Sequence, residues 1–478
     1  MERDRSMLSI LVCHSYFMGF DKKQRERAKP YPPLATLQVA SALRGGGHDV
    51  AVFDAMLAEG VEQFETLLHQ RRPQLVLLYE DNYNFLSKMC LARMREAACE
   101  MIGEARRIGA RVIVSGSDAS DSPEPYLQAG ADVVLQGDGL AALAELIPRL
   151  DANRHADRDE LTAGLHGLTT LVHGAPAHLN GVAAVPVPQQ PELPAWDLVD
   201  IERYRRVWLD SHGYFSLNMA ASRGCPFRCT WCAKPIWGNQ YLQRTPEDVA
   251  GEMTLLKRLF HPDHIWFADD IFGFRVEWVR SFAQAIHASG GSIPFTIQTR
   301  ADLIGERMAQ ALASAGCKEV WLGAESGSQR ILDAMNKGTT VSEILTARER
   351  LKAAGIRVGF FIQLGYLGED LSDILATREL ISAARPDDIG VSVSYPLPGT
   401  KFYDLVREQL RDKTHWRDSD DLAMMFQGAY TSEFYRQVRN LLHEQVSSGM
   451  NADENRWEQL VSREREYRST DRAATAAG

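Results

Sequence analysis

Short apolar segments alternate with amphipathic helical segments in two long runs of this 478-residue chain, and this alternation restricts the fold more than any other feature. The first run occupies residues 1–150 and the second residues 216–400. Strands that alternate with helices form parallel sheets whose faces are covered by those helices. The sequence therefore predicts an α/β protein with two separate sheets.

The first run predicts a small, doubly wound, Rossmann-like domain. Helices are expected at Leu34–Arg44, at Val61–Gln70, within Leu86–Ile108 and after Gly139. Five strands are expected at Leu8–Cys13, Asp49–Phe53, Leu75–Tyr79, Arg111–Val114 and Asp132–Leu135. Ligands bind this architecture at the carboxyl ends of the strands.

Residues 151–215 differ in character from both runs, and we expect a linker there. Four prolines crowd its centre, at positions 186, 188, 191 and 194, and no helical period is visible. A small hairpin is expected around Leu168–Leu179. At the other end of the chain, residues 401–478 have a mainly helical pattern, and we expect Ala473–Gly478 to be a disordered tail.

The second run predicts a partial (β/α)6 barrel of the TIM type. Thr245 is expected to cap one helix, and Thr340 with Glu343 forms a capping box for another. Six strands are expected at Leu217–Ser222, His264–Phe267, Phe295–Thr299, Glu319–Leu322, Val358–Leu364 and Ile389–Ser394. Polar and glycine residues follow most of these strands, and barrel enzymes place their chemistry at such exits.

Three cysteines, Cys225, Cys229 and Cys232, follow the first strand of the predicted barrel in the spacing C-x3-C-x2-C. Three thiolates at this spacing can hold three irons of a cubane cluster and leave the fourth iron open to a ligand. A zinc site with a distant fourth ligand and three unrelated thiols are the alternatives. A zinc ribbon would lie between short hairpins, so the position after a barrel strand favours the cluster.

The net charge, the scattered cysteines and the apolar runs indicate the class of protein and its location in the cell. The net charge of −10 argues against a protein that tracks nucleic-acid phosphates. The remaining cysteines, Cys13, Cys90, Cys99 and Cys317, are scattered and are expected to be small buried hydrophobic residues, so a reducing cytoplasm is the expected location. We find no signal peptide and no apolar stretch of about 18 residues, and therefore expect no membrane span.

Several motifs resemble the cobalamin-binding radical S-adenosylmethionine (SAM) family. Beyond the three cysteines, they are Trp266–Asp270, Gln298–Asp302, Gly323–Ser328 and Pro396–Thr400. In the first run, Val114–Ser117 and Leu135–Gly139 lie where the family's cobalamin-binding domain has its glycine-rich strand exits. The resemblance covers the whole of the predicted barrel and implies three cofactors: a 4Fe–4S cluster, SAM and cobalamin.

The resemblance also implies contacts with SAM. Trp231 would pack beside the adenosine, and Asp269 and Asp270 would meet the ammonium group. Glu325 and Ser326 would meet the ribose or the carboxylate, and Arg300 can neutralise a carboxylate of SAM or substrate. The alternatives are a core indole for Trp231, a helix cap for the aspartates, structural hydrogen bonds for Glu325 and Ser326, and a surface arginine.

The cobalamin contacts expected from the resemblance lie at the strand exits of the first run. Backbone at Gly116, Ser117, Gly137 and Gly139 would approach the nucleotide tail, with ordinary turns as the alternative. The Asp-x-His-x-x-Gly motif of many cobalamin proteins is absent, and His14 precedes Gly19 at the wrong spacing and without the aspartate. The resemblance therefore implies a lower corrin face that is met by a side chain other than histidine or is left open, and residues 80–85, which include Tyr83, are the candidates to lie against it.

The resemblance implies a methyltransferase that modifies an unactivated carbon through a 5′-deoxyadenosyl radical and methylcobalamin. A radical SAM rearrangement or cyclisation without methyl transfer is the first alternative. A metal-stabilised binding protein without turnover is the second. The expected partners are a small-molecule substrate, which no segment identifies, and an electron donor such as flavodoxin or ferredoxin.

Overall fold

The computed structural model describes residues 7–89, 91–179, 193–232, 236, 240–451 and 453–469. The predictions for Cys90, for the prolines at 186, 188 and 191, and for the tail 473–478 lie outside the described residues.

The first sheet has seven strands in the order β2-β1-β3-β4-β5-β6-β7. Strands β1 to β5 are parallel, and β6 and β7 add an antiparallel hairpin to the edge of the sheet. The seven strands are β1 Ser9–Cys13, β2 Asp49–Phe53, β3 Leu75–Tyr79, β4 Arg111–Ser115, β5 Val133–Leu135, β6 Leu168–Val172 and β7 Ala175–Leu179. Five parallel strands and the hairpin were predicted; what the sequence pattern did not indicate is that the hairpin joins this sheet.

Both faces of the first sheet are covered by helices, as expected for a doubly wound domain. Because side chains alternate along a strand, Ile10 and Val12 enter the core that continues into the second sheet, whereas Leu11 enters a separate core on the opposite face. The helices are α1 Lys22–Arg27, α2 Leu34–Gly45, α3 Val61–Arg71, α4 Phe85–Lys88, α5 Ala92–Arg107, α6 Ser117–Asp121, α7 Pro123–Ala129, α8 Leu140–Ala152 and α9 Arg158–Thr162.

Two helices, the short α9 and the longer α10 (Ile201–His212), lie where the sequence indicated no helical period, and α10 is the larger departure. Asp200 caps it by accepting from the backbone of Glu202, and Ile201, Tyr204 and Trp208 are buried on one face. The three side chains recur at helical spacing, but the charged residues between them, which face solvent, obscure the period. The prediction of no helix was therefore wrong for this segment.

The second sheet has six parallel strands in the order β15-β14-β13-β12-β11-β8, which is a partial barrel as predicted. A small two-stranded ribbon, β9 with β10, stands apart from it. The strands are β8 Ser216–Met219, β9 Ser222–Arg223, β10 Leu242–Gln243, β11 His264–Phe267, β12 Phe295–Thr299, β13 Cys317–Glu325, β14 Arg357–Leu364 and β15 Asp388–Val393.

The first barrel strand is shorter than predicted. Leu217–Ser222 was expected to be one strand, but β8 ends at Met219 because the backbone N–H of Ala221 turns to the carboxylate of Asp269, at 3.0 Å. The chain then re-forms a short strand, β9, directly before the cysteines. Strand β13 is longer than predicted and continues to Glu325, with a shift of register after Gly323.

Helices cover the outside of the partial barrel and close its open side. Thr245 and Thr340 cap their helices as predicted, Thr340 through a complete capping box with Glu343. The helices are α11 Pro246–Phe260, α12 Val276–Ser289, α13 Glu306–Ala315, α14 Gln329–Ala334, α15 Val341–Ala353, α16 Leu371–Ala384, α17 Lys401–Val406, α18 Ser432–Ser447 and α19 Glu454–Ser462.

A loop of the C-terminal segment returns to the first sheet. Residues 411–425, here called the strap, lie between Leu410 and Phe426, which are joined by an antiparallel bridge. The strap contacts the start of α5, where the N–H of Ala92 donates to the carbonyl of Trp416 at 2.8 Å. Within the described part of the chain, none of the helices has the length and apolar character that a bilayer crossing needs.

Candidate active site

The three cysteines lie on the loop that follows β9. Gly224 opens this loop with a φ of 76°, a left-handed conformation that suits glycine and turns the chain away from the ribbon. Cys225, Cys229 and Cys232 are each half-buried and none forms a disulfide. Among the described residues, no three His, Cys, Asp or Glu side chains converge closely enough to hold a metal ion. The thiols therefore share a loop without sharing a centre in this structure.

Thr230 fixes the loop to the barrel. Its N–H donates to the carbonyl of Met335 at 3.0 Å, and its hydroxyl lies 2.7 Å from that of Tyr366. Its own carbonyl accepts from the N–H of Phe402 at 2.9 Å. Sequence analysis gave Thr230 no role, because its three partners come from distant parts of the chain.

Arg300 lies at the exit of β12 and is buried, so it is not a surface arginine. Its Nη1 is 3.7 Å from the sulfur of Cys229, and its guanidinium carbon is 3.8 Å from the centre of the Phe227 ring. Asp302 accepts from its Nε at 2.9 Å and from its Nη2 at 3.1 Å. The structure thus places Arg300 against the cysteine loop.

Glu325 and Lys337 form a buried ion pair beside the same loop. The distance from Lys337 Nζ to Glu325 Oε1 is 2.8 Å, and Nζ is 6.0 Å from the centre of the Trp231 ring. Burial works against the charged lysine, but the carboxylate of Glu325 outweighs it and raises the pKa of Lys337. A Cβ on Gly323 would lie 2.5 Å from Nζ, so this pair needs a glycine there. Sequence analysis missed Lys337.

The two predicted aspartates have different surroundings. Asp269 is fully buried, accepts from the hydroxyl of Ser222 at 2.5 Å, and has its pKa raised by burial to about 7. Asp270 points toward the first sheet, where Lys88 Nζ is 2.5 Å from its carboxylate. Both lie at the exit of β11, but they face separate partners.

Ser326 follows β13 and is buried. Its hydroxyl accepts from the N–H of Ser328 at 3.1 Å and lies 3.2 Å from the hydroxyl of Thr377. Gly327 packs so closely against the backbone of α16 that any Cβ would overlap the carbonyl of Ala376. The turn after β13 is therefore fixed by hydrogen bonds and close packing.

The strand exits of the first sheet form a second polar region. Glu80, after β3, accepts from the N–H of Ser15 at 3.1 Å and from its hydroxyl at 2.5 Å, and burial raises the pKa of Glu80 to about 7. A Cβ on Gly116 would lie 2.8 Å from Cγ of Glu80. Ser117 lies in the same region, where a small pocket is bounded by Glu80, Ser87, Gly116 and Ser117 among others.

The remaining predicted cobalamin residues lie nearer the barrel. Gly137 and Gly139 both have left-handed φ values, 64° and 65°. A Cβ on Gly137 would approach the carbonyl oxygen of Ile236 at 3.4 Å, whereas one on Gly139 would overlap Leu135. Tyr83 is buried after β3. The structure therefore brings Gly137 to the segment that follows the cysteines.

The Nε2 atom of His14 already has two polar neighbours. Its Nε2 is 3.0 Å from Asp54 Oδ1, and the N–H of Ala55 also points to it at 3.0 Å. Asp54 in turn accepts from the hydroxyl of Tyr204 at 2.6 Å. This network holds the imidazole in the β1–β2 region through Nε2.

Unpartnered polar atoms at the strand exits show that both regions fit ligands. In the first sheet, the whole amide of the fully buried Asn82 and the hydroxyl of Ser117 lack a hydrogen-bond partner among the described residues. In the barrel, the same holds for Gln363 Oε1 and the hydroxyl of Ser394. Buried polar atoms without partners are costly, so these are positions where a bound group supplies the missing hydrogen bonds. Three thiols with two neighbouring cations likewise suit an anionic iron–sulfur cluster.

Two family models match the chain. That of the radical SAM superfamily matches residues 219–381, from β9 through β14. That of the B12-binding domain matches residues 25–147, from β2 through β5. Each match therefore falls on one of the two sheets and covers four of its parallel strands in full.

Relatives and solved structures agree with this division. An uncharacterised methyltransferase of Pyrococcus horikoshii is 24% identical over 426 residues, which are 85% of this chain and 88% of the relative. The anaerobic magnesium-protoporphyrin IX monomethyl ester cyclase of Rubrivivax gelatinosus is 24% identical over 400 residues, 81% of this chain and 68% of the relative. TsrM, a radical SAM methyltransferase of Kitasatospora setae solved with cobalamin and a 4Fe–4S cluster, has the same fold, with a TM-score of 0.68 at 21% identity over 84% of this chain and 75% of TsrM.

The matches also identify the cofactors. The radical SAM domain implies the 4Fe–4S cluster and SAM, and the B12-binding domain implies cobalamin, as the sequence predicted. Because both domains lie in one chain and in this order, the protein is a cobalamin-binding radical SAM enzyme.

Proposed function

We propose that this enzyme transfers a methyl group from cobalamin to an unactivated carbon of a small-molecule substrate. One observation carries the proposal: the carboxyl edges of the two sheets meet. Lys88 after β3 pairs with Asp270 after β11, and Gly137 after β5 faces Ile236 beyond the cysteines. A corrin at the first edge and SAM at the second would therefore share one enclosed space, as transfer between them needs.

We assign the cofactors to residues at these edges. Cys225, Cys229 and Cys232 would hold the cluster. Trp231, Asp269, Asp270, Arg300, Glu325 and Ser326 remain the proposed surroundings of SAM, with Arg300 acting on the cluster side. Gly116, Ser117, Gly137, Gly139 and Tyr83 remain the proposed surroundings of cobalamin. When bound, the cluster and SAM supply a carbon-centred radical by one-electron cleavage of the sulfonium, and cobalamin supplies the methyl group.

The chain's own contribution is placement and exclusion of water. Thr230 and Arg300 hold the cysteine loop from two sides, through Tyr366 and Phe227 respectively. The buried pair of Glu325 and Lys337 gives the site a fixed charge distribution that needs no rearrangement when charge changes nearby. A radical generated there would meet few solvent molecules on the side formed by Arg300, Glu325 and Lys337, because these three side chains are almost fully buried.

The cysteine assignment is tested with anaerobically reconstituted protein. The wild type should be brown, carry four irons per chain and release 5′-deoxyadenosine from SAM. Cys→Ala at 225, 229 or 232 should abolish all three properties. Cys99→Ala is the matched control, since this half-buried thiol lies on α5 and its sulfur is 3.8 Å from the carbonyl of Pro125. Colourless protein with bound zinc would refute the assignment and favour a binding protein.

Methyl transfer is tested separately. Cobalamin extracted after incubation with SAM that bears an isotopically labelled methyl group should contain the label. The second candidate function, a cyclisation without methyl transfer, is favoured by the similarity to the Rubrivivax gelatinosus cyclase. Unlabelled cobalamin, together with a product that lacks an added methylene unit, would support that candidate instead.

We also propose a small electron-transfer protein such as flavodoxin or ferredoxin as the reductant. The cysteine loop supports this, because its thiols are only half-buried and Arg228 between them is exposed. Reduction of the reconstituted cluster by such a donor should be faster than by dithionite at equal potential. Equal rates would remove the need for a protein partner.

A further inference from the structure

We propose that Arg300 sets the reduction potential of the cluster by directing one N–H at the sulfur of Cys229. The inference rests on the proposed function, because it requires the cluster to be held by the three cysteines. Arg300 does not touch SAM in this role. It acts through Cys229 and is therefore a positioning residue.

The geometry of the guanidinium leaves one nitrogen for the sulfur. Asp302 accepts from Nε and Nη2, and Nη2 also donates to the carbonyl of Lys337 at 2.6 Å and to the hydroxyl of Thr339 at 3.0 Å. Nη1 is the nitrogen that faces Cys229, at 3.7 Å. The guanidinium is thus held in one orientation by Asp302, Lys337 and Thr339. Its remaining polar contact is with the sulfur of Cys229.

The position of the ring of Phe227 strengthens this assignment. Phe227 lies two residues before Cys229, and the guanidinium carbon of Arg300 is 3.8 Å from the centre of its ring. Arg300 therefore contacts the cysteine loop at two residues, Cys229 and Phe227. Because Nε and Nη2 are already engaged, Nη1 is the nitrogen that remains for the cluster side.

An N–H directed at a cluster sulfur favours the reduced state. Reduction adds negative charge that is shared by the ligating sulfurs, and hydrogen bonds and positive charge next to them stabilise it. The effect is strong where water is excluded, and Arg300 is only 6% exposed. Asp302 offsets much of the net charge of Arg300, so the directed N–H is the component through which Arg300 acts on Cys229.

The test is an EPR-monitored redox titration of the reconstituted full-length protein, with iron counted in every sample. Arg300→Gln with Asp302→Asn removes the guanidinium without leaving an unpaired carboxylate. We expect this variant to keep its cluster but to be reduced with an equilibrium constant at least tenfold smaller, which is about 59 mV for one electron. Arg300→Lys keeps the positive charge but loses the planar guanidinium, so its reduction potential should lie between that of the wild type and that of the double variant.

Arg348→Gln is the matched control, because Arg348 is similarly buried but donates to the carbonyl of Arg385 at 2.9 Å, remote from the cysteines. Its potential should equal that of the wild type. An intact cluster with an unchanged potential in both Arg300 variants would overturn this inference alone. Loss of the cluster in both Arg300 variants would also overturn the inference, because Arg300 would then be needed for cluster assembly and not for its potential. A wild type without a cluster would instead refute the proposed function.

Discussion

Lys88 Nζ lies 2.5 Å from Asp270 Oδ1, and this ion pair joins the loop after β3 to the loop after β11. The two residues are 182 positions apart. Both side chains are largely buried, 7% and 16% exposed. The pair therefore connects the carboxyl edges of the two sheets at a point where little water can replace either partner.

Breaking this pair should destabilise the protein. Asp270→Asn removes the carboxylate that lies 2.5 Å from the deeply buried ammonium of Lys88, and we expect a loss of about 3 kcal/mol in the free energy of unfolding. Lys88→Met should cost less, because Asp270 is closer to solvent. The double variant should lose less than the sum of the two, as measured by thermal unfolding; additive losses would contradict a direct interaction.

The hydroxyl of Thr230 should be needed to order the cysteine loop. Thr230→Val keeps the shape but removes the hydrogen bonds to Tyr366 and Met335, and we expect a cost of about 1 kcal/mol together with a lower iron content after reconstitution. Thr254→Val is the control, since its hydroxyl donates to Ala250 within α11. Equal iron content in the two variants would argue against the anchoring role.

Glu369 should make stability depend on pH. Burial raises its pKa from 4.5 to about 8, and its carboxylate accepts from the N–H of Gly365 at 2.5 Å. The folded state holds the proton more tightly than the unfolded state, so this stabilisation is complete below the unfolded pKa and is lost as the pH rises through about 8. Glu369→Gln should flatten the fall in melting temperature between about pH 6 and pH 9. Glu379→Gln, at an exposed position on α16, should leave that fall unchanged.

Asp21 should hold the strap in place. It accepts from the N–H of Ser419 at 3.0 Å and from the hydroxyl of Ser419 at 2.9 Å. In Asp21→Ala, we expect trypsin to cleave the strap at Lys413 and Arg417 several times faster than in the wild type, because local opening costs less. Asp412→Ala changes an exposed strap carboxylate and serves as the control. Identical cleavage in all three proteins would show that the strap is held by other contacts.

The elements of both sheets were predictable because their signals are local. Asp49–Phe53, Leu75–Tyr79, His264–Phe267 and Phe295–Thr299 are strands with the predicted bounds, since apolar runs ended by polar or glycine residues mark them directly. The position of the cysteines after the first barrel strand was equally visible. These features need only the order of neighbouring residues.

The contacts that build the site were not predictable in the same way. Thr230 meets Tyr366 across 136 residues, and Arg300 meets Cys229 across 71. The periodicity of apolar residues carries no information on contacts between residues so far apart in the sequence. Arg300 was therefore expected to meet a carboxylate, and Thr230 was given no role. Lys337 is separated from Glu325 by only 12 residues, but α14 lies between them and its packing decides the pairing.

The strap connects an early residue to a late one, which orders events during protein synthesis. Asp21 leaves the ribosome long before Ser419, its partner across 398 residues. The acceptor of the N–H of Ala92, the carbonyl of Trp416, is likewise synthesised much later. The nascent first unit therefore emerges with this side uncovered, and its final closure follows translation of the strap.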